Sequence, residues 1–136
     1  MRKGMFAEYK GSIYQAEIID DLLIKLVSRD VKDKEFGFKL KIYPEYYKGI
    51  ENLPEIYLRD VNRDDITELF EVYPISRYKG HRFNISGEKS GYFHLGTNDA
   101  TLGKDLGFER TDKYYYEKWV PKNEVEIFEE RKDIKL

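Results

Sequence analysis

The chain has 136 residues, 40% of them hydrophobic and 37% charged, with 26 acidic against 24 basic side chains and a net charge of −2. That length suits one ordinary domain or two very small ones, and the apolar share argues against wholesale disorder. The balanced charge gives no basic excess of the sort that wraps nucleic acid, and the lack of cysteine excludes disulfides, thiolate metal sites and thiol nucleophiles.

The opening MRKGMFAEYKG starts basic but has no apolar stretch behind it, and no later run approaches a membrane span. A cytoplasmic protein is therefore expected. MFAEY reads as a short strand, YKG as a turn, and SIYQAEI as a strand of period two. Asp20-Asp21 marks a turn, LLIKLVS another strand, and RDVKDKE a loop or a single helical turn. FGFKLKIY alternates Phe36, Phe38, Leu40 and Ile42 against Gly37, Lys39 and Lys41, the pattern of a half-buried strand. PEYYKGIENLP is a loop bounded by proline, IYLRDV a strand, NRDDI a helical turn, and TELFEVY a closing strand.

VYPIS, around Pro74, joins this half to a second one without any Gly/Ser linker. There YKG recurs, followed by the strands HRFNIS and YFHLGT with GEKSG (87–91) as the turn between them. Asn98 or Asp99 is placed to cap a short helix over 100–106, with Leu102 and Leu106 on one face. Tyr114 to Val120 reads as a strand with Tyr114 and Tyr116 on one side and Tyr115 on the other. PKNEV is a tight turn, VEIFEE the last strand, and the charged tail RKDIKL is expected to fray.

The two halves align. A shift of 69 places Tyr9-Lys10-Gly11 on Tyr78-Lys79-Gly80, Tyr14 on Phe83, Leu26 on Leu95, Ser28 on Thr97 and Asp30 on Asp99. A shift of 70 places Gly37-Phe38 on Gly107-Phe108. A shift of 59 places Tyr57, Arg59, Val61 and Ile66 on Tyr116, Lys118, Val120 and Val125. The matches keep their order and fall on apolar, glycine and turn positions, which a shared fold constrains. The first copy, residues 1–73, thus carries an 11-residue insertion between Phe38 and Tyr57, and the second spans 74–136. About five short strands per copy, with frequent turn signals, predict a mainly β protein of two tandem small barrels packed together.

WVPKNEVEIF (119–128) is similar to the end of Src-homology-3-like barrels, where a strand runs into a proline-started single-turn helix and then a final strand. Trp119, Val120, Pro121, Asn123 and Val125 carry the likeness. Glu124 stands where the peptide-binding members have a groove tyrosine, and the first copy has Asn62 and Asp65 for Pro121 and Glu124. The resemblance therefore implies the fold and not a proline-rich ligand. The succession YKG, LGTND, LGFER and YYYEKWVPKNEVEI also resembles small two-repeat Firmicutes proteins, some of them immunity partners of secreted toxins.

Catalytic material is scarce. His81 falls in a turn and His94 on a strand, and His94 with Asp99 would give two metal ligands where a stable site needs three or four. GEKSG and LGKDLG lack phosphate-loop spacing, and Asp20-Asp21, Asp64-Asp65 and Glu129-Glu130 lie in turns or beside basic residues. No enzymatic role, metal or cofactor is expected. The aromatic clusters are the stronger signal, since exposed Tyr and Trp anchor protein interfaces and loops commonly carry function. Tyr43, Glu45, Tyr46, Tyr47 and Glu51 of the insertion, with Tyr115 and Trp119, are the candidate contacts to a protein partner, a toxin in the immunity reading. The alternative is a single-stranded nucleic-acid module with Lys39, Lys41, Lys48 and Arg59 on its rim.

Overall fold

A computed structural model describes residues 2–136. The chain is mainly β and divides into two compact units. The first unit is Gly4–Val72 with Arg131–Leu136, and the second is residues 2–3 with Tyr73–Glu130.

In the first unit β1 (Gly4–Tyr9), β2 (Ser12–Ile18) and β3 (Leu23–Ser28) form an antiparallel meander. A 3-10 turn over Val31–Phe36 and the two-residue β4 (Lys39–Leu40) lead to β5 (Tyr57–Asn62), which pairs with both β3 and β4. After a second 3-10 turn at Arg63–Asp65, β6 (Ile66–Tyr78) returns to lie antiparallel against β1. The strand order is β4-β5-β3-β2-β1-β6.

The second unit has the same order of elements. The end of β6 pairs with β7 (His81–Lys89), which pairs with β8 (Tyr92–Thr97). Helix α1 (Ala100–Asp105) occupies the place of the first 3-10 turn. β9 (Glu109–Asp112) and β10 (Tyr115–Pro121) follow, with β10 pairing both β8 and β9. A 3-10 turn at Lys122–Glu124 precedes β11 (Glu126–Asp133), which pairs with β6.

The repeated YKG has a backbone reason. Tyr9 faces Ser12 and Tyr78 faces His81, so each hairpin is closed by two residues. Lys10 and Gly11 have φ of 48° and 81°, and Lys79 and Gly80 have 49° and 77°. Positive φ at both central residues is the twist that suits a two-residue hairpin, and glycine reaches it without a Cβ penalty.

Each unit has its own apolar cluster. The first contains Tyr9, Leu26, Phe38, Tyr57 and Val61, and the second contains Tyr78, Leu95, Phe108, Tyr116 and Val120, the same positions by the sequence offsets. Ring packing repeats as well. Tyr14 and Phe38 have centroids 5.0 Å apart, and Phe83 and Phe108 4.9 Å apart. Arg59 lies over the Tyr9 ring and donates to the Phe36 carbonyl, while Lys118 lies over the Tyr78 ring and donates to the Leu106 carbonyl at 3.0 Å. Asp30 and Asp99 take matching roles. Each backbone N–H donates to the hydroxyl two residues back, at 3.0 Å in both, and each carboxylate caps the helical turn that follows.

Several expectations change. FGFKLKIY is not a long strand. Gly37, at φ 86°, ends the 3-10 turn, only Lys39–Leu40 pair, and Ile42 is 88% exposed. An alternating pattern needs a partner strand along its length, and β5 offers only Leu58 and Tyr57. VYPIS spans the boundary between the units at Val72/Tyr73, but as the interior of β6 and not as a connection outside a strand, and Pro74 falls between the ladder to β1, ending at Val72, and the ladder to β7, starting at Ile75. The missing proline N–H is thus placed where neither of those ladders needs it. GEKSG is not a five-residue turn, because β7 runs to Lys89 through a bulge near Ser86 and only Ser90-Gly91 turns. Tyr114 lies in the turn before β10 and is exposed, so it does not share a strand face with Tyr116. The tail does not simply fray. Ile134 donates its N–H to the Leu69 carbonyl at 2.8 Å, and Arg131 meets Glu68 at 3.2 Å over the Phe70 ring.

Candidate binding face

The insertion contains no long element. Pro44 accepts a hydrogen bond from the Tyr47 N–H at 3.0 Å, and Gly49, at φ 69°, starts a 3-10 turn over Ile50–Asn52. That fold-back gathers three rings. Tyr43 and Tyr47 have centroids 6.1 Å apart, and Tyr46 meets Tyr47 edge-on at 5.3 Å. The Tyr43 hydroxyl donates to the Pro54 carbonyl at 2.8 Å, tying the start of the loop to its end. Tyr46 is 80% exposed, and Glu45 and Glu51 are exposed as well. Among the described residues neither carboxylate makes an ion pair.

The apolar exposure extends beyond those rings. Val31, Phe36, Leu40, Ile42, Tyr46, Tyr47 and Ile50 are all exposed and lie within twenty consecutive residues. Single exposed apolar side chains are ordinary; seven within twenty residues are a concentration along the chain. Sequence reading gave Phe36, Leu40 and Ile42 to a core strand, because their alternation is the same whether or not a neighbour covers them.

Beside this segment the first unit keeps open what the second unit seals. In the second unit the ring pair Phe83 and Phe108 is buried in a cluster against which Leu102 of α1 and its C-cap Leu106 pack. In the first unit Tyr14 replaces Phe83, and the covering turn presents Asp33 and the exposed Phe36. The Ser28 hydroxyl donates to Asp33, and the Tyr14 hydroxyl reaches it at 3.5 Å. Burial, and then the Asp33 carboxylate, push the Tyr14 phenol above its ordinary value. The result is a cleft of about 490 Å³ lined by Tyr9, Tyr14, Asp33, Phe36, Phe38 and Arg59. The substitution of Tyr14 for Phe83 was visible in the alignment and was the one available signal for it.

Tyr115 and Trp119 belong to the second unit. Tyr115 is half-buried, lies across Gly96 and shares a hydrogen bond of 3.0 Å with Ser86. Trp119 is 39% exposed and is stacked on His94, its cross-strand neighbour, with centroids 4.3 Å apart and planes 12° apart. Lys89 sits 4.1 Å from the Trp119 centroid, and His94 Nδ1 lies 3.2 Å from Glu117. The Lys89 contact over the indole is a cation–π arrangement. His94 is thus engaged by Trp119 and Glu117, and its contacts do not include Asp99. Among the described residues no three His, Asp or Glu side chains come together as metal ligands.

The whole chain, residues 1–136, matches the family model described as Uncharacterised conserved protein UCP033725, and the protein belongs to that family. No curated protein and no solved structure matches it. Among the described residues no helix is long and apolar enough to cross a membrane.

Proposed function

We propose that this is a cytoplasmic protein-binding module with no catalytic activity of its own, made of two tandem Src-homology-3-like units. The pairing supports that reading of the fold. In each unit a meander is followed by a 3-10 turn and a last strand that returns to the first, as in such barrels. The single observation that carries the binding role is the exposed apolar run of 31–50, centred on Tyr46 and Tyr47. Tyrosine offers a large rigid contact area at low entropic cost, which suits an interface. The most concrete version is an immunity-like protein that occludes a toxin, with the insertion lying over the toxin's active surface. Buried rings would slow release, and Glu45 and Glu51 at the margin would steer encounter.

The test is capture from the native host with the wild-type protein and with a Tyr46→Ala/Tyr47→Ala variant, followed by reconstitution with the purified partner. The expected result is a partner lost from the variant, with affinity reduced at least about tenfold. Recovery of a tightly held small ligand, with no protein partner for the wild type, would overturn the reading.

A further inference from the structure

The two units contain the same cavity with opposite charge. In the first unit it measures about 790 Å³ and is lined by Lys25, Lys39, Lys41 and Arg59, with Asp60 as the one acid. In the second it measures about 400 Å³ and holds His94, Glu109, Thr111, Glu117, Lys118 and Trp119. The sequence offsets match these positions: Lys25 with His94, Lys39 with Glu109, Lys41 with Thr111, Arg59 with Lys118 and Asp60 with Trp119. Counting fixed charges, four cations and one anion give +3 in the first unit, and one cation with two anions gives −1 in the second.

That pairing supplies an internal control. Of the charged positions only Arg59 and Lys118 keep their character, and both have structural work, lying over a tyrosine and holding a carbonyl. The cavity forms in the second unit with no lysine at the other three positions, so Lys25, Lys39 and Lys41 are not needed to build it. Among the described residues none of the three makes an ion pair. Unneutralised cations gathered in a chain of net charge −2 repel one another, and an anionic ligand relieves that repulsion.

We infer that this cavity binds an acidic segment of a protein partner; the inference rests on the protein-binding reading above and names the partner's chemistry. Three features favour a peptide over a nucleic-acid strand. The apolar side chains that line the cavity are the aliphatic Leu40, Ile42 and Leu58, where a base would need a flat ring. The ring beside the cavity, Tyr43, already has the Lys41 ammonium 5.0 Å from its centroid. Finally, β4 ends the strand order of its unit, so its outer edge lacks a strand partner and is open to an extended segment. An acidic peptide with interspersed apolar residues would place carboxylates on the lysines and aliphatic groups on Leu40 and Ile42.

The experiment is fluorescence anisotropy on the purified full chain with three labelled probes: a peptide of about twelve alternating Glu and Leu residues, its Lys-for-Glu counterpart, and an oligothymidine of equal length. The Glu peptide should bind, more tightly at low salt, and the Lys peptide should not. Lys25→Glu/Lys39→Glu/Lys41→Glu should weaken binding at least about tenfold. Glu109→Lys/Thr111→Lys should leave the first site unchanged. Should the triple variant fail to fold, Lys39→Glu alone, at an exposed position, should weaken the same binding by a smaller factor. No binding of the Glu peptide, equal binding by the charge-reversed variant, or tighter binding of oligothymidine would each overturn the inference. If the lysine variant captures the host partner undiminished while Tyr46→Ala/Tyr47→Ala loses it, the inference fails and the protein-binding reading stands.

Discussion

Gly11→Ala and Gly80→Ala probe the twin turns directly. A Cβ added at either position meets nothing within 4 Å, so neither change creates a clash between side chains. The cost is purely local. At φ of 81° and 77° an L-residue is forced into the left-handed region, which is worth about 1–2 kcal/mol. Alanine also stiffens the unfolded chain, which returns about 0.4–1 kcal/mol where the native backbone is compatible. The backbone penalty wins, and each variant should lose about 1 kcal/mol. Urea unfolding followed by circular dichroism would show this as a fall in midpoint of about 0.5 M, taking a slope of about 2 kcal/mol per M. Asn at the same positions tolerates this region better and should recover about half of the loss. Alanine variants as stable as the parent would show that these turns do not carry positive φ. A loss confined to one turn would show that the two hairpins are not built alike.

Gly103→Ala should destabilise even though alanine favours a helix by about 1 kcal/mol, because its Cβ would sit 2.9 Å from the Cβ of buried Tyr116. Overpacking against an atom fixed to the backbone costs about 1–3 kcal/mol, and a lowered melting temperature is the readout. Tyr14→Phe should flatten the alkaline limb of the stability profile. The Tyr14 phenol is raised above its ordinary 10.0 in the folded state, so its contribution is intact below pH 10 and falls away as pH climbs through the raised value. Denaturation of both proteins between pH 9 and 11.5 checks this, and parallel curves would contradict it. Glu129 is held below its ordinary value of 4.5 by hydrogen bonds from the Arg2 backbone and side chain. That contribution is present above pH 4.5 and disappears on acidification, so Glu129→Gln should cost a little stability at neutral pH, as suits an exposed pair, and the difference from the parent should close as the pH falls below 4.5.

Much of the internal architecture could be read from residues alone. The apolar, β-branched run LLIKLVS marked β3, where Ile24, Leu26 and Ser28 are buried between less buried neighbours. YKG announced both hairpins because the demand for positive φ is local and glycine meets it. The offsets that aligned Tyr9, Leu26, Phe38 and Val61 with Tyr78, Leu95, Phe108 and Val120 picked out residues that lie in the two cores, because core positions tolerate few substitutions of size. A helix cap at Asn98 or Asp99 followed from the same short-range chemistry, and Asp99 is the residue that caps.

Other features depend on which strand lies beside which, and no local pattern carries that. Phe36, Phe38, Leu40 and Ile42 alternate as a core strand would, yet only Phe38 is buried; β5 pairs with Lys39 and Leu40 alone, and Phe36, Leu40 and Ile42 stay exposed. The join at Pro74 was legible, but that it is made inside one strand, at its change of partner, was not. Sequence reading placed Lys39, Lys41 and Arg59 on a basic rim with Lys48, but that Lys25 joins them in one cavity is decided by pairing, because these residues come from β3, β4, the residue after β4, and β5 and meet only when those strands pair. Sequence determines the conformation each short segment prefers; pairing between distant segments decides which apolar side chains are covered and which charges become neighbours.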